Sequence, residues 1–294
     1  MRQQGRMMGA GIGAAIILAI LGLNTARNAA GWQPITHSPA ERQAILAPAW
    51  RMITPETPGP HKAAILLSGC DGIRDNMDHW AQVMLKQDRA VMILDSHSPR
   101  KLDVAQSWRA VCAGQILPGA ERAGDLAVAL TALARMPGID PTGTAILGAS
   151  HGGWTAMELL TELNDSEPPP GLSAWPAKPH LLSAMIGPVV LLYPYCGLIS
   201  RGDQGRWPER AEGLMILAQN DSITDPEACH DMADRIAGKG ADLNVVTFRD
   251  MDHGFDQRDR SSLSPLEFNR AARDKATALV TDFLEGSGSG PPGL

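Results

Sequence analysis

An α/β domain with a mostly parallel central sheet and helices on both faces is the fold this sequence predicts. Three observations carry the prediction. From about residue 62 onward, short apolar runs alternate with segments of helical period. Several of those runs are nearly continuous in apolar residues, the pattern of strands buried on both faces of a parallel sheet. The chain also has 294 residues and 44% hydrophobic content, enough to bury one large core.

The elements follow in order. Residues 63–67 read as a strand and 79–87 as a helix. A strand at 90–94 ends in Asp95-Ser96-His97-Ser98-Pro99-Arg100. Segment 120–135 has apolar residues at helical spacing, with Pro118 before it and Pro137-Gly138 after it as start and stop signals. A strand at 144–147 leads into Gly148-Ala149-Ser150-His151-Gly152 and a helix at 154–163. Strands at 189–192, 214–218 and 243–248 alternate with helices at 226–237 and 265–284. Two segments break the rhythm. Pro168-Pro169-Pro170-Gly171 and Trp175-Pro176 exclude helix and central strand from 164–179, and 197–211 is polar around Trp207-Pro208. Both fall where loops over a site would run, so either can be a surface connection or a wall of the site. The tail 286–294, rich in Gly, Ser and Pro, is expected to be flexible, leaving 31–285 as the main domain.

The first thirty residues are different in kind. Arg2 and Arg6 precede an uncharged stretch from Met7 to Leu23, and Arg27 follows it. A basic start before an apolar run is the pattern of an export signal. As a helix the run spans about 25 Å at ~1.5 Å per residue, short of the roughly 30 Å hydrocarbon core of a bilayer. A removable signal peptide is therefore favoured over an uncleaved transmembrane anchor, although Asn28-Ala29-Ala30 is an imperfect cleavage site. Either way the main domain is expected to work outside the cytoplasm, in a periplasmic or other extracytoplasmic space, with membrane attachment through this segment as the second form.

Charge and cysteine usage fit that setting. A net charge of -6 with scattered arginines gives no basic stripe for nucleic acid. Four cysteines in an exported chain suggest two disulfides with three possible connectivities. Cys70–Cys112 and Cys196–Cys229 are the expected pairs, each tethering loops at one edge of the sheet; four buried free thiols are the alternative. Nothing in the sequence sets an oligomeric state.

The chemistry centres on the G-x-S-x-G run at 148–152. Between a strand and a helix this pattern reads as a nucleophile elbow, which holds a serine hydroxyl clear of the sheet. A serine needs a base, and the base needs an acid to orient it. Asp221 follows the strand at 214–218 and His253 follows the strand at 243–248. Ser150, Asp221 and His253 thus occur in the Ser–acid–His order of α/β-hydrolases, each just past the carboxyl end of a strand. Asp225 precedes Pro226 and reads as a helix N-cap instead, and Asp252 as a solvated loop charge. Backbone donors for an oxyanion are expected from His151, after the nucleophile, and from Cys70 in the small-residue loop Ser68-Gly69-Cys70-Asp71-Gly72. His37, His61, His79, His97, His180 and His230 show no metal-ligand spacing and read as surface or structural. An imidazole ordinarily titrates near ~6.5, so activity is expected to rise through mildly acid pH.

The loop at 68–72, the segment Leu94-Asp95-Ser96-His97-Ser98-Pro99-Arg100, the elbow, Tyr193-Pro194-Tyr195-Cys196-Gly197 and Asp252-His253-Gly254-Phe255 together resemble the dienelactone hydrolase family, over roughly residues 45–285. The resemblance implies the α/β-hydrolase fold and hydrolysis of lactones or small carboxylic esters without a cofactor. It also implies a cytoplasmic enzyme with a cysteine in the elbow, and this chain departs on both counts. A peptidase of the same fold and a non-catalytic, envelope-anchored binding protein are the alternative readings.

Overall fold

The computed structural model describes residues 2–260, 264 and 266–286. Its centre is a seven-stranded sheet: β1 (Arg51–Ile53), β2 (His61–Leu67), β3 (Ala90–Leu94), β4 (Ile139–Ala149), β5 (Ile186–Leu192), β6 (Gly213–Ala218) and β7 (Leu243–Phe248). The spatial order is β1-β3-β2-β4-β5-β6-β7. Every pair is parallel except the short edge strand β1, which runs antiparallel to β3. This is the predicted α/β-hydrolase architecture.

Strand alternation divides the core in two. Ala63, Ile65 and Leu67 of β2 face one cluster, built with α5 (Gly119–Leu133), α6 (His151–Glu162) and α8 (Pro226–Ala237). Ala64 and Leu66 face the other, packed under Trp80 and Met84 of α3 (Asp75–Lys86) and Ala276 and Val280 of α9 (Arg270–Glu285). Continuous apolar strands are explained by this double coverage, because the central strands β3, β5 and β6 are buried along their whole length.

Several element bounds differ from the sequence expectations. β4 begins at Ile139, five residues early, because His61 and Lys62 pair with Ile139 and Asp140 before the register shifts at Ala64↔Ala145. The last helix begins at Arg270, where Asn269 caps it by accepting the Ala272 N–H at 2.9 Å. Three short elements went unforeseen: α2 (Pro39–Leu46), β1 and α7 (Pro179–Met185). A single turn, α4 (Val104–Gln106), runs into a π-helical turn at Ser107–Val111.

The N-terminal segment forms α1 (Arg2–Ala29), whose Ile16, Ile17, Leu18, Ile20 and Leu23 are exposed and whose Asn28 is buried, donating to Gly114 C=O at 2.9 Å. Among the described residues no helix is long and apolar enough to cross a membrane. The expected tail lies outside the described residues from 287 on. Both expected disulfides, Cys70–Cys112 and Cys196–Cys229, are present. Cys229 lies on α8, so the second ties a loop to a helix rather than two loops to each other.

Candidate active site

Ser150 sits at the tip of β4 with φ 53° and ψ -114°. This conformation is costly for a residue with a Cβ, and the structure around it explains why it persists. The Ser150 N–H donates to Leu192 C=O at 2.8 Å, fixing the turn to β5. The flanking glycines are sterically required. A Cβ on Gly148 would lie 2.4 Å from the Gly152 backbone, and one on Gly152 would lie 2.2 Å from Leu67 C=O. The sharp turn therefore brings α6, β2 and β4 to backbone contact, and the serine side chain is left facing a cleft.

Asp221 and His253 arrive from the ends of β6 and β7. His253 Nδ1 lies 2.7 Å from Asp221 Oδ2, and His253 Nε2 lies 2.8 Å from Ser150 Oγ. A carboxylate only accepts, so Nδ1–H is the donor to Asp221, and Nε2 is left to accept the Ser150 hydroxyl proton. Asp221 Oδ1 accepts the Ile223 N–H at 2.9 Å and the Thr224 N–H at 2.6 Å. Burial alone would raise this carboxyl, but the His253 hydrogen bond and these two amides outweigh it and hold it below the usual carboxylate range. Asp225 is the N-cap of α8, as its place before Pro226 suggested. Asp252 is more than a solvated charge: Oδ1 accepts the Ser222 N–H and the His253 N–H, both at 2.7 Å, and so braces the acid loop against the base loop.

Cys70 lines the cleft beside Ser150, with Gly69 so close that a Cβ there would lie 3.8 Å from Ser150 Cβ. The His151 side chain points away into the core. Arg122 Nη1 donates to His151 Nδ1 at 3.1 Å, and His151 Nε2–H donates to Leu117 C=O at 2.9 Å. Burial and then the Arg122 charge push this imidazole well below its ordinary pKa, keeping it neutral.

Sequence reasoning missed the layer behind these residues. Arg122 is fully buried and also donates to Ser68 C=O at 2.8 Å, so one guanidinium holds both the loop of Cys70 and the ring of His151. Burial lowers it to about 10, still charged at neutral pH. His97 donates from Nε2 to Cys70 C=O at 3.1 Å; burial first, then Arg122, lowers it to about 3, so it is a neutral donor rather than a surface group. Asp256 accepts from Tyr193 Oη and, at 2.6 Å, from Trp80 Nε1, while the Tyr193 ring lies edge-on to His253 at 4.6 Å. The one sequence signal for Asp256 was its place three residues beyond His253.

The remaining cleft walls are Trp108, Ile223, Gln257 and Leu266, with Asp71 at the polar end accepting from Gln257 Nε2 at 2.9 Å. Neither irregular loop, 164–179 or 197–211, contributes to this lining. Those loops pack instead around α6, where their prolines and turns meet the C-terminal end of α1. Among the described residues no group of three His, Cys, Asp or Glu side chains could hold a metal ion.

Residues 210–287, which carry Asp221 and His253, match the model of the dienelactone hydrolase family. Solved structures share the fold at low identity. Esterase 2 of Thermogutta terrifontis, in a form phosphoramylated by tabun, is 18% identical with a TM-score of 0.58, over 83% of this chain and 91% of that one. A dienelactone hydrolase-like promiscuous phosphotriesterase from metagenomic libraries is 16% identical with a TM-score of 0.58, over 80% and 91%. The protein m3DLH is 17% identical with a TM-score of 0.63, over 82% and 92%. No curated protein matches the chain in sequence.

Proposed function

We propose that this chain is a member of the dienelactone hydrolase family of α/β-hydrolases and a serine hydrolase of small carboxylic esters or lactones. The observation that carries the reading is the hydrogen-bonded chain from Ser150 Oγ through His253 to Asp221, at 2.8 and 2.7 Å. Ser150 Oγ attacks the carbonyl carbon as His253 Nε2 takes its proton, and the carboxylate of Asp221 stabilises the imidazolium. The backbone amides of Cys70 and His151 receive the oxyanion. His253 returns the proton to the leaving alkoxide, the alcohol departs, and a water deprotonated by His253 releases the acyl group as a carboxylic acid and restores Ser150. Trp108, Ile223 and Leu266 give the cleft an apolar wall suited to a small acyl or ring group. No cofactor enters the cycle.

The setting we infer is extracytoplasmic, supported by the basic and apolar N-terminal segment, the exposed apolar side chains of α1 and two disulfides. A serine nucleophile suits that compartment because it does not undergo thiol oxidation.

The test is a panel of p-nitrophenyl esters and lactones against wild type and Ser150→Ala. Turnover falls roughly 10⁵- to 10⁶-fold in the variant, and labelling by a fluorophosphonate disappears while the circular dichroism spectrum stays unchanged. The tabun adduct of the Thermogutta esterase makes the same phosphorus chemistry a natural probe here. Full activity or undiminished labelling in Ser150→Ala would overturn the reading.

A further inference from the structure

A second cavity of about 400 Å³ lies on the far side of the elbow helix and shares no lining residue with the Ser150 cleft. Four acidic side chains line it (Glu158, Glu162, Asp165 and Glu167) against one basic residue, Arg201. Glu158 is 1% exposed. Its Oε1 accepts from Trp154 Nε1 and from the Arg201 N–H, both at 2.6 Å, and the nearby Ser200 hydroxyl also favours the carboxylate, but its Oε2 makes no hydrogen bond. Glu162, one helical turn on and therefore on the same face, also leaves Oε2 buried and unpartnered. Leaving such acceptors unsatisfied is costly, and more so when they are charged. The Arg201 guanidinium donates to Ala29 C=O; its charge favours both carboxylates, but it makes no hydrogen bond to either free oxygen.

We propose that this cavity binds an organic ammonium ion, its N–H groups donating to the free oxygens of Glu158 and Glu162 and its alkyl part lying against Trp154, Pro118 and Pro168. Three features favour this ligand class. An ammonium carries several donors and one positive charge, which answers the two orphaned acceptors and the acidic excess together. The donor set includes no cluster able to hold a metal ion among the described residues. The cavity is also far larger than one water needs, and it has apolar walls for a hydrocarbon chain. Burial pushes Glu158 up to about 7 and raises Glu162 well above the usual carboxylate range, with Glu158 adding to that rise, so a bound cation would favour the charged form of both. The ammonium has two possible sources. One is a free amine. The other is the chain itself: Gly31 lines the cavity, and removal of the leader after Ala30, which takes Asn28 and Ala30 from the lining and the Ala29 C=O from Arg201, would place a new α-amino group there.

The probe is n-butylammonium chloride, titrated calorimetrically into the full chain at pH 8 and low salt, with n-butanol as the neutral control. Saturable one-to-one binding is expected, with at least tenfold weaker affinity in Glu158→Gln/Glu162→Gln and severalfold weaker affinity in the exposed-rim variant Asp165→Asn/Glu167→Gln. Retained p-nitrophenyl ester turnover in both variants reports an intact fold. No saturable binding, equal binding of butanol, or affinity unchanged by Glu158→Gln/Glu162→Gln would each overturn the proposal. A chain beginning at Gly31, identified by intact mass, separates the sources. Loss of butylammonium binding, restored when the Gly31 amine is acetylated, assigns the occupant to the chain's own terminus; equal binding in both forms assigns it to a free amine.

Discussion

Asp221 and Asp252 lie on neighbouring loops, and only their hydrogen bonds separate their roles. Asp221 spends Oδ1 on two backbone amides and so presents Oδ2 to His253 in one fixed direction. An asparagine at 221 would keep this geometry but offer His253 Nδ1 either a donor or a neutral acceptor, favouring the wrong imidazole tautomer. Asp221→Asn is expected to lower kcat by about 10⁴-fold with little change in KM, measured on a p-nitrophenyl ester at neutral pH. A loss under tenfold would mean that Asp221 does not orient the base. Ser150, Asp221 and His253, the proposed nucleophile, acid and base, stand out in the sequence because each follows a short apolar strand, and chain order together with the cap reading of Asp225 ranks them. Arg122, His97 and Asp256 do not, because a buried charge shows only once its partners converge: Ser68 lies 54 residues from Arg122, and Trp80 lies 176 from Asp256.

At the scale of elements, α5 connects the site to the rest of the fold. Its bounds were readable from Pro118 and Pro137-Gly138, but what its polar face does was not. Asp125, fully buried, accepts from Arg42 of α2 at 2.6 Å and from Arg100 after β3 at 2.8 and 3.0 Å. Arg42 continues to Gly171 C=O at 2.8 Å, so one carboxylate ties together α2, α5, the segment after β3 and the proline-rich loop. Burial alone would raise the Asp125 carboxyl, but Arg100 and then Arg42 outweigh it and hold it at about 2 against an ordinary 3.8. The sign follows from that depression: the stabilisation is fully present above pH 4 and is lost as pH falls toward 2, amounting to about 2 kcal/mol. Asp125→Asn is expected to cost about 3 kcal/mol at pH 7, because two guanidiniums lose their shared carboxylate while Arg100 keeps Glu121 at 3.6 Å, and to flatten the acid dependence between pH 4 and 2. Urea unfolding of both proteins at pH 7, 4 and 3 measures it. The same elements show where local pattern fails. α2 has 8 residues and β1 has 3, too few for a period to register, and β1 exists only because Arg51, Met52 and Ile53 find β3 beside them.

Across the whole molecule, the sheet delivers three loops to one edge and the disulfides fasten what the sheet does not. The sheet itself was readable from composition, since strands covered on both faces must be apolar throughout. The cleft walls were not, because Trp108 enters the lining from a π-helical turn that carries no periodic signal. Cys70–Cys112 anchors that turn to the loop of the proposed oxyanion donor, four residues after Trp108. Cys196–Cys229 instead joins the segment after β5 to α8, and neither cysteine lines the Ser150 cleft. Their sequence separations of 42 and 33 give nearly equal loop-closure contributions, about 4 kcal/mol each. Stability therefore cannot distinguish the two, but turnover can. Cys196→Ser/Cys229→Ser is expected to lower the unfolding free energy by about 2–4 kcal/mol while keeping kcat within about twofold at 25 °C. Cys70→Ser/Cys112→Ser is expected to lose similar stability and, because an oxyanion donor is worth on the order of a hundredfold, at least tenfold in kcat as well. Dithiothreitol should reproduce the second result in wild type and leave the Cys70→Ser/Cys112→Ser variant no slower than before. Equal turnover in the two double variants would show that the Cys70 loop holds its shape without its bridge, leaving Arg122 and His97 to fix it.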